Sequence, residues 1–196
     1  MIRALPLLVL IGCGGDTTPA TDDAAIDSSG GGSSDASIDA SPGMFTLTSP
    51  TITEGGTIPL THVCAGKGGQ NESPQLVFTN VPSGTQSFAV VLTDMTNSLV
   101  HCAIYDVPGT LTGLPANVDK IYAPTAVPGA HQTLSYQSTV RGYNGPCPPS
   151  THTYQFKVYA LGTATLPSAT MSTTKEQVVS TAATNLGTAT LTATFP

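Results

Sequence analysis

Four runs of eight or nine residues, QSFAVVLTD (86–94), VHCAIYDV (100–107), TYQFKVYAL (153–161) and TATLTATF (188–195), are dense in Val, Thr, Tyr and Phe. Such side chains suit a pleated, half-buried surface and lose rotamer freedom in a helix. Three shorter runs read the same way, FTLTS (45–49), TIPLTHV (57–63) and PQLVFTN (74–80), each bounded by Gly, Pro or Asn. A chain of many short strands must bury their apolar faces against another sheet. Only STTKEQVVSTAATNLG (172–187) carries a helical period. It sets Val178, Val179, Ala182, Ala183 and Leu186 on one face, with a Ser or Thr to cap the start and Gly187 to close the end. The expected fold is mostly β, an antiparallel β-sandwich with one C-terminal helix and long loops. The weakly periodic stretch 109–141 is long for a connection, and loops of that length tend to carry function. It is expected to form a wall of any site.

The charge is informative once it is located. The formal net charge is −6, but Asp16, Asp22, Asp23, Asp27, Asp35 and Asp39 all precede residue 44. From Met44 onward six acids face five bases. No basic patch exists to follow a phosphate backbone, so nucleic acid is not an expected partner.

The N-terminus reads as an export signal. Arg3 precedes an apolar run too short to span a bilayer, and the run ends in LIGC, Leu10 to Cys13. That ending resembles the bacterial lipobox, in which cleavage precedes the cysteine and the cysteine takes the lipid. Residues 1–12 are therefore expected to be a lipoprotein signal peptide, with Cys13 the lipidated residue. The competing reading is a cytoplasmic β-protein with a chance apolar start. Residues 13–43, rich in Gly, Ser and Asp, bury too little to offset their ordering entropy and read as a flexible acidic linker. The domain is 44–196. The expected location is the cell envelope, outside the cytoplasm, on a bacterial membrane.

Cys64, Cys102 and Cys147 remain within the domain, spaced 38 and 45 residues apart. Export permits a disulfide, and the odd count leaves one thiol over. Which two pair is not legible. The spacing fits no zinc pattern, and neither a metal nor a cofactor is implied.

Titratable residues are scarce in the strands, which makes their positions informative. Asp94 ends one strand and His101 begins the next, so both lie at one end of a sheet. His152 and Tyr154 open a later strand and share a face by alternation. Just upstream lies GYNGPCPPS (142–150), whose prolines fix φ, remove donors and build a rigid wall. The arrangement suggests a pocket with two imidazoles, a carboxylate and a phenol, with Asp94 favouring charged histidine. Each residue alone has a plainer reading, the histidines as structural donors and Asp94 as a turn cap. His62 and His131 lack such company and read as surface or loop residues.

These residues resemble the phosphatidylethanolamine-binding protein family, in its bacterial Raf-kinase-inhibitor-like branch. FTLTSPTITEGGTIPLTHVCAG is similar to that branch's opening strand and turn. NESPQLVFTNVPSGTQSFAVVLTD resembles its next region, and GYNGPCPPSTHTYQFKVYAL its most specific motif. The resemblance implies a ligand pocket at Asp94, His101, Cys147, Pro148, Pro149, His152 and Tyr154. It implies small anionic or phosphorylated ligands, phosphate or a phospholipid head group, and no catalytic residue. Departures accompany it. DMTNS (94–98) keeps Asp94 but has Thr96 where the family has a second acid, Cys102 replaces an aromatic, and Thr153 replaces an arginine. The expected function is a lipid-anchored binding protein, with inhibition of a peptidase or another protein as a partner role. Two alternatives stand beside it. One is a structural or adhesive sandwich with a degenerate pocket. The other is a hydrolase using Cys147 with His101 or His152 and Asp94, though Pro148 and Pro149 offer no N–H to an oxyanion.

Overall fold

A computed structural model describes residues 43–196. The expected signal peptide, lipidated Cys13 and the linker up to residue 42 lie outside the described residues.

Nine elements follow in order: β1 (Thr46–Thr48), β2 (Leu76–Thr79), β3 (Ser87–Asp94), β4 (Leu99–Pro108), β5 (Gly113–Leu114), β6 (His131–Gln132), β7 (His152–Leu161), α1 (Lys175–Thr181) and β8 (Gly187–Phe195). They form two antiparallel sheets. The smaller has the order β1-β2-β5 and the larger β6-β4-β3-β7-β8. Alternation along the strands fills the space between them. Phe88, Val90 and Leu92 of β3, Phe156 and Val158 of β7, and Leu191 of β8 meet Leu47, Leu76 and Phe78 of the small sheet. The intervening residues Ala89, Val91, Ala103, Tyr105 and Tyr159 face outward and pack under Val178 of α1 and its C-cap Ala182. Burial on both faces explains why the β3 run is almost continuously apolar. The sandwich and its late helix agree with the reading of the sequence.

Two elements differ. The helix is shorter than its period suggests, spanning Lys175–Thr181 rather than 172–187. Its start is a capping box, with Thr174 Oγ1 accepting from the Gln177 N–H and Gln177 Oε1 accepting from the Thr174 N–H. Its end is set by the sheet. The Leu186 N–H donates to the Ala160 carbonyl at 2.8 Å and Gly187 pairs with Ala160, so β8 captures the chain. Gly187 serves close packing, since a Cβ there would stand 2.8 Å from Pro82. The run 57–63 is not a strand. Thr57 makes one parallel bridge to Thr194, and a 3-10 turn follows at Leu60–His62. Pro59 has no N–H to extend a ladder, and its carbonyl starts the turn by accepting from the His62 N–H.

Candidate functional site

The hairpin of β3 and β4 places Asp94 opposite Leu99, and the β3–β7 ladder places it opposite Tyr154. His152 follows on the same face by alternation. His101 joins them through a bulge. Leu92 pairs with Cys102 and Thr93 pairs with Val100, so His101 is the extra residue of β4. Cys102 belongs to the inner core while Val100 packs on the outer face. The bulge therefore aims His101 inward, where its ring meets Tyr154 edge-on at 5.5 Å.

The four residues form one cluster. His152 Nδ1 donates to Asp94 Oδ2 at 2.6 Å, and Asp94 Oδ1 accepts from the Thr96 N–H at 2.9 Å. Asp94 is thus both turn cap and histidine partner. Thr96, standing at the family's second acid, accepts from the Thr153 N–H through Oγ1 and binds the hairpin turn to β7. His101 Nδ1 donates to the Asn144 carbonyl at 3.0 Å. The ring is only 3% exposed and Tyr154 only 1%. The Tyr154 hydroxyl has the Asp94 side chain as a hydrogen-bond partner, whereas His101 Nε2 has none among the described residues. No side-chain nitrogen or oxygen wholly shielded from solvent lacks a partner there, so His101 Nε2 keeps a trace of solvent contact. Burial lowers the His101 pKa; the Asn144 hydrogen bond and the Asp94 charge oppose this without overcoming it. Asp94 does favour the charged ring, as the sequence suggests, but burial outweighs it. Burial first, and then Asp94, raises the Tyr154 phenol far above its ordinary range.

The wall is the 142–150 stretch, strapped to the 60–72 loop. Cys147 forms a disulfide with Cys64, and the Cys64 N–H donates to the Pro146 carbonyl. The Tyr143 hydroxyl donates to the His62 carbonyl at 2.6 Å. Asn71 bonds Asn144 through Nδ2 and accepts from the Gly145 N–H through Oδ1. Pro148 is buried, whereas Pro149 and Cys147 are exposed. Cys147 therefore contributes a cross-link to the wall and has no thiol to offer, which removes the nucleophile from the hydrolase reading. The leftover Cys102 is buried, and burial pushes its thiol up to about 11. It is no substitute nucleophile.

Several residues escaped the sequence reading. Tyr136, from the long loop expected to be a wall, lies over His101 with ring centroids 4.3 Å apart. Nothing in an aperiodic loop singled it out. His62 is buried, donating to the Glu72 carbonyl through Nδ1 and accepting from Thr51 at Nε2, so it pins the strapped loop. His131 also has company, donating to Asp106 Oδ2 at 3.0 Å between the rings of Tyr105 and Tyr122. A separate cleft of about 580 Å³, lined in part by Ser135, Arg141, Met171 and Lys175, includes none of the four clustered residues. The cluster is marked by one unpartnered ring nitrogen, His101 Nε2, among buried polar side chains, not by volume.

A two-sheet sandwich that holds such an atom behind a cross-linked wall is built as a binding protein. The chain belongs to the phosphatidylethanolamine-binding protein family, whose model matches residues 48–196. It is similar to the UPF0098 protein YbcL of Escherichia coli, 36% identical over 135 residues that cover 63% of this chain and 72% of that protein. A UPF0098 protein of Aquifex aeolicus is 33% identical over 60% of this chain and 68% of its own. The crystal structure of Escherichia coli YbcL, described as a new member of the mammalian PEBP family, superposes with a TM-score of 0.68 at 34% identity, covering 78% of this chain and 98% of that one. A Chlamydia trachomatis homolog of the family gives a TM-score of 0.64 at 26% identity, over 78% and 97% of the two chains.

Proposed function

We propose that this protein is an exported, lipid-anchored member of the family that holds a small anionic or phosphorylated ligand, of the phosphate or phospholipid head group class. His101, Asp94, His152 and Tyr154 form the floor, and the strap with Pro148 and Pro149 forms the wall. The observation that carries this reading is His101 Nε2, left without a partner on a residue only 3% exposed beside Asp94, His152 and Tyr154. Buried polar side chains are ordinarily satisfied within the fold, so a buried nitrogen left unpaired suits an external partner. The LIGC ending and the acidic linker support export and anchoring. Lipid on Cys13 is checked by mass spectrometry of the membrane fraction, where Cys13→Ser releases the protein.

The pocket is tested by histidine NMR during titration with inorganic phosphate. The His101 and His152 ring signals are expected to shift and saturate, and His101→Ala is expected to abolish saturation while the thermal transition persists. Unmoved ring signals in the native protein would refute the pocket.

A further inference from the structure

We propose that the cleft between the 134–141 hairpin and the 170–176 segment is a second binding site, for a small anionic amphiphile such as a medium-chain carboxylate. Its lining includes none of Asp94, His101, His152 and Tyr154, so either site can fail without the other.

Both walls are held by their own hydrogen bonds. On one side Leu134 bridges Arg141, and the Ser135 N–H donates to the Val140 carbonyl at 2.7 Å. On the other, the Thr173 N–H donates to the Thr170 carbonyl at 3.0 Å, and the Thr170 N–H donates to Thr173 Oγ1 at 2.7 Å. Arg141 ties the two walls together. Its guanidinium donates to the Gln132 and Met171 carbonyls, each at 3.1 Å, and lies over the Tyr122 ring. The cleft measures about 580 Å³, within the range of roughly 300–1,000 Å³ that takes one small ligand.

The lining is amphipathic. Leu134 and Met171, both exposed large apolar side chains, come from opposite walls. Apolar surface left in water gains when a ligand's apolar tail covers it. Lys175 supplies the charge. Its side chain is only 14% exposed, and its ammonium meets Glu176 Oε1 at 2.9 Å, on a side chain 57% exposed. An ammonium has three donors, and so exposed an ion partner holds it weakly. A ligand carboxylate can therefore take the place of Glu176 on Lys175. Arg141 spends two of its five N–H groups on carbonyls and adds a second positive charge. Arg141 and Lys175 against Glu176 leave the lining with positive charge in excess, which favours an anion over a cation of the same shape.

Calorimetric titration of the full chain with sodium octanoate, sodium acetate and 1-octanol tests both halves of the site. Octanoate is expected to bind. Acetate, which lacks the tail, is expected to bind at least roughly tenfold more weakly, the loss that about two buried methylenes bring. Octanol, which lacks the charge, is expected to be weaker by at least roughly tenfold as well. Equal affinity for octanoate and octanol overturns the selection for an anion, and equal affinity for octanoate and acetate overturns the role of the apolar walls. No binding of octanoate overturns the site, and phosphate titration still tests the proposed pocket in that case. In the native protein the methyl NMR signals of Leu134 and Met171 are expected to move with octanoate. Shifts confined to the His101 and His152 rings would place octanoate in the proposed pocket and overturn the second site. Two variants, each checked for an unchanged thermal transition, read the head group. Lys175→Gln is expected to lose affinity by at least roughly fivefold, whereas Glu176→Gln, which removes the competing carboxylate, is expected to gain roughly twofold or more. Equal affinity in the wild type and both folded variants overturns the assignment of Lys175.

Discussion

His101, which the proposed function sets against the ligand, also bears on stability. Its pKa in the folded protein lies below the ordinary value of 6.5, chiefly because burial disfavours the charged ring. Below that value the unfolded chain binds the proton first, so stability rises with pH in this window. The contribution of the neutral ring is complete above about pH 6.5 and is lost as the pH falls through the folded pKa. Urea denaturation of the wild type and His101→Gln is expected to give diverging stability–pH curves only on the acid side of 6.5, the wild type being steeper. Parallel curves would mean that the ring titrates alike in both states. At this scale the sequence was readable where polar residues are rare. Asp94, His101, His152 and Tyr154 stood out because titratable side chains are scarce in the strand runs. Tyr136 and the Asn144 carbonyl did not, since one is a common residue in an aperiodic loop and the other a backbone group that any residue supplies.

Among the elements, the strap and the bulge position the site, and they were legible to different degrees. The Gly and Pro content of 142–150 announced a restricted stretch, and the stretch is tied down by a disulfide and hydrogen bonds. What it is fastened to was not visible, because the partners lie on the 60–72 loop, more than seventy residues away for Asn71 and Gly145. The bulge left no mark, since strict alternation from Cys102 would have turned His101 outward. The β8 capture that shortens α1 is likewise a tertiary effect that overrides a local period. Gly145 tests the strap most directly. A Cβ at this position would stand 2.1 Å from the His62 carbonyl oxygen and 3.1 Å from its carbon, both backbone atoms with little room to yield. Gly145→Ala is expected to destabilise the fold by roughly 1–3 kcal/mol and to weaken phosphate binding, because Asn144 moves with its neighbour. Denaturation midpoints and phosphate titration read the two effects. A stable variant with intact binding would show that the strap yields freely here.

For the molecule as a whole, the Cys64–Cys147 bond joins the two ends of a long excursion. The cysteines are 83 residues apart, and three of the large sheet's five strands, β3, β4 and β6, lie between them. Cross-linking so distant a pair removes much of the unfolded chain's freedom, and loop-closure entropy for a segment of this size is worth about 4–5 kcal/mol. Net domain stability is only about 5–15 kcal/mol, so the bond accounts for a large share of it. The same bond fixes the 142–150 stretch, so in the proposed function ligand binding depends on oxidation. The double variant Cys64→Ser, Cys147→Ser is expected to lose about 4–5 kcal/mol in urea denaturation and to bind phosphate more weakly at temperatures where it remains folded. The hydrogen bonds of the strap, Cys64 N–H to the Pro146 carbonyl and the Tyr143 hydroxyl to the His62 carbonyl, are expected to persist in that variant and limit the loss of affinity. An unchanged midpoint would assign the wall to those bonds alone. A lowered midpoint with full affinity would separate the disulfide's role in the unfolded chain from any role at the site.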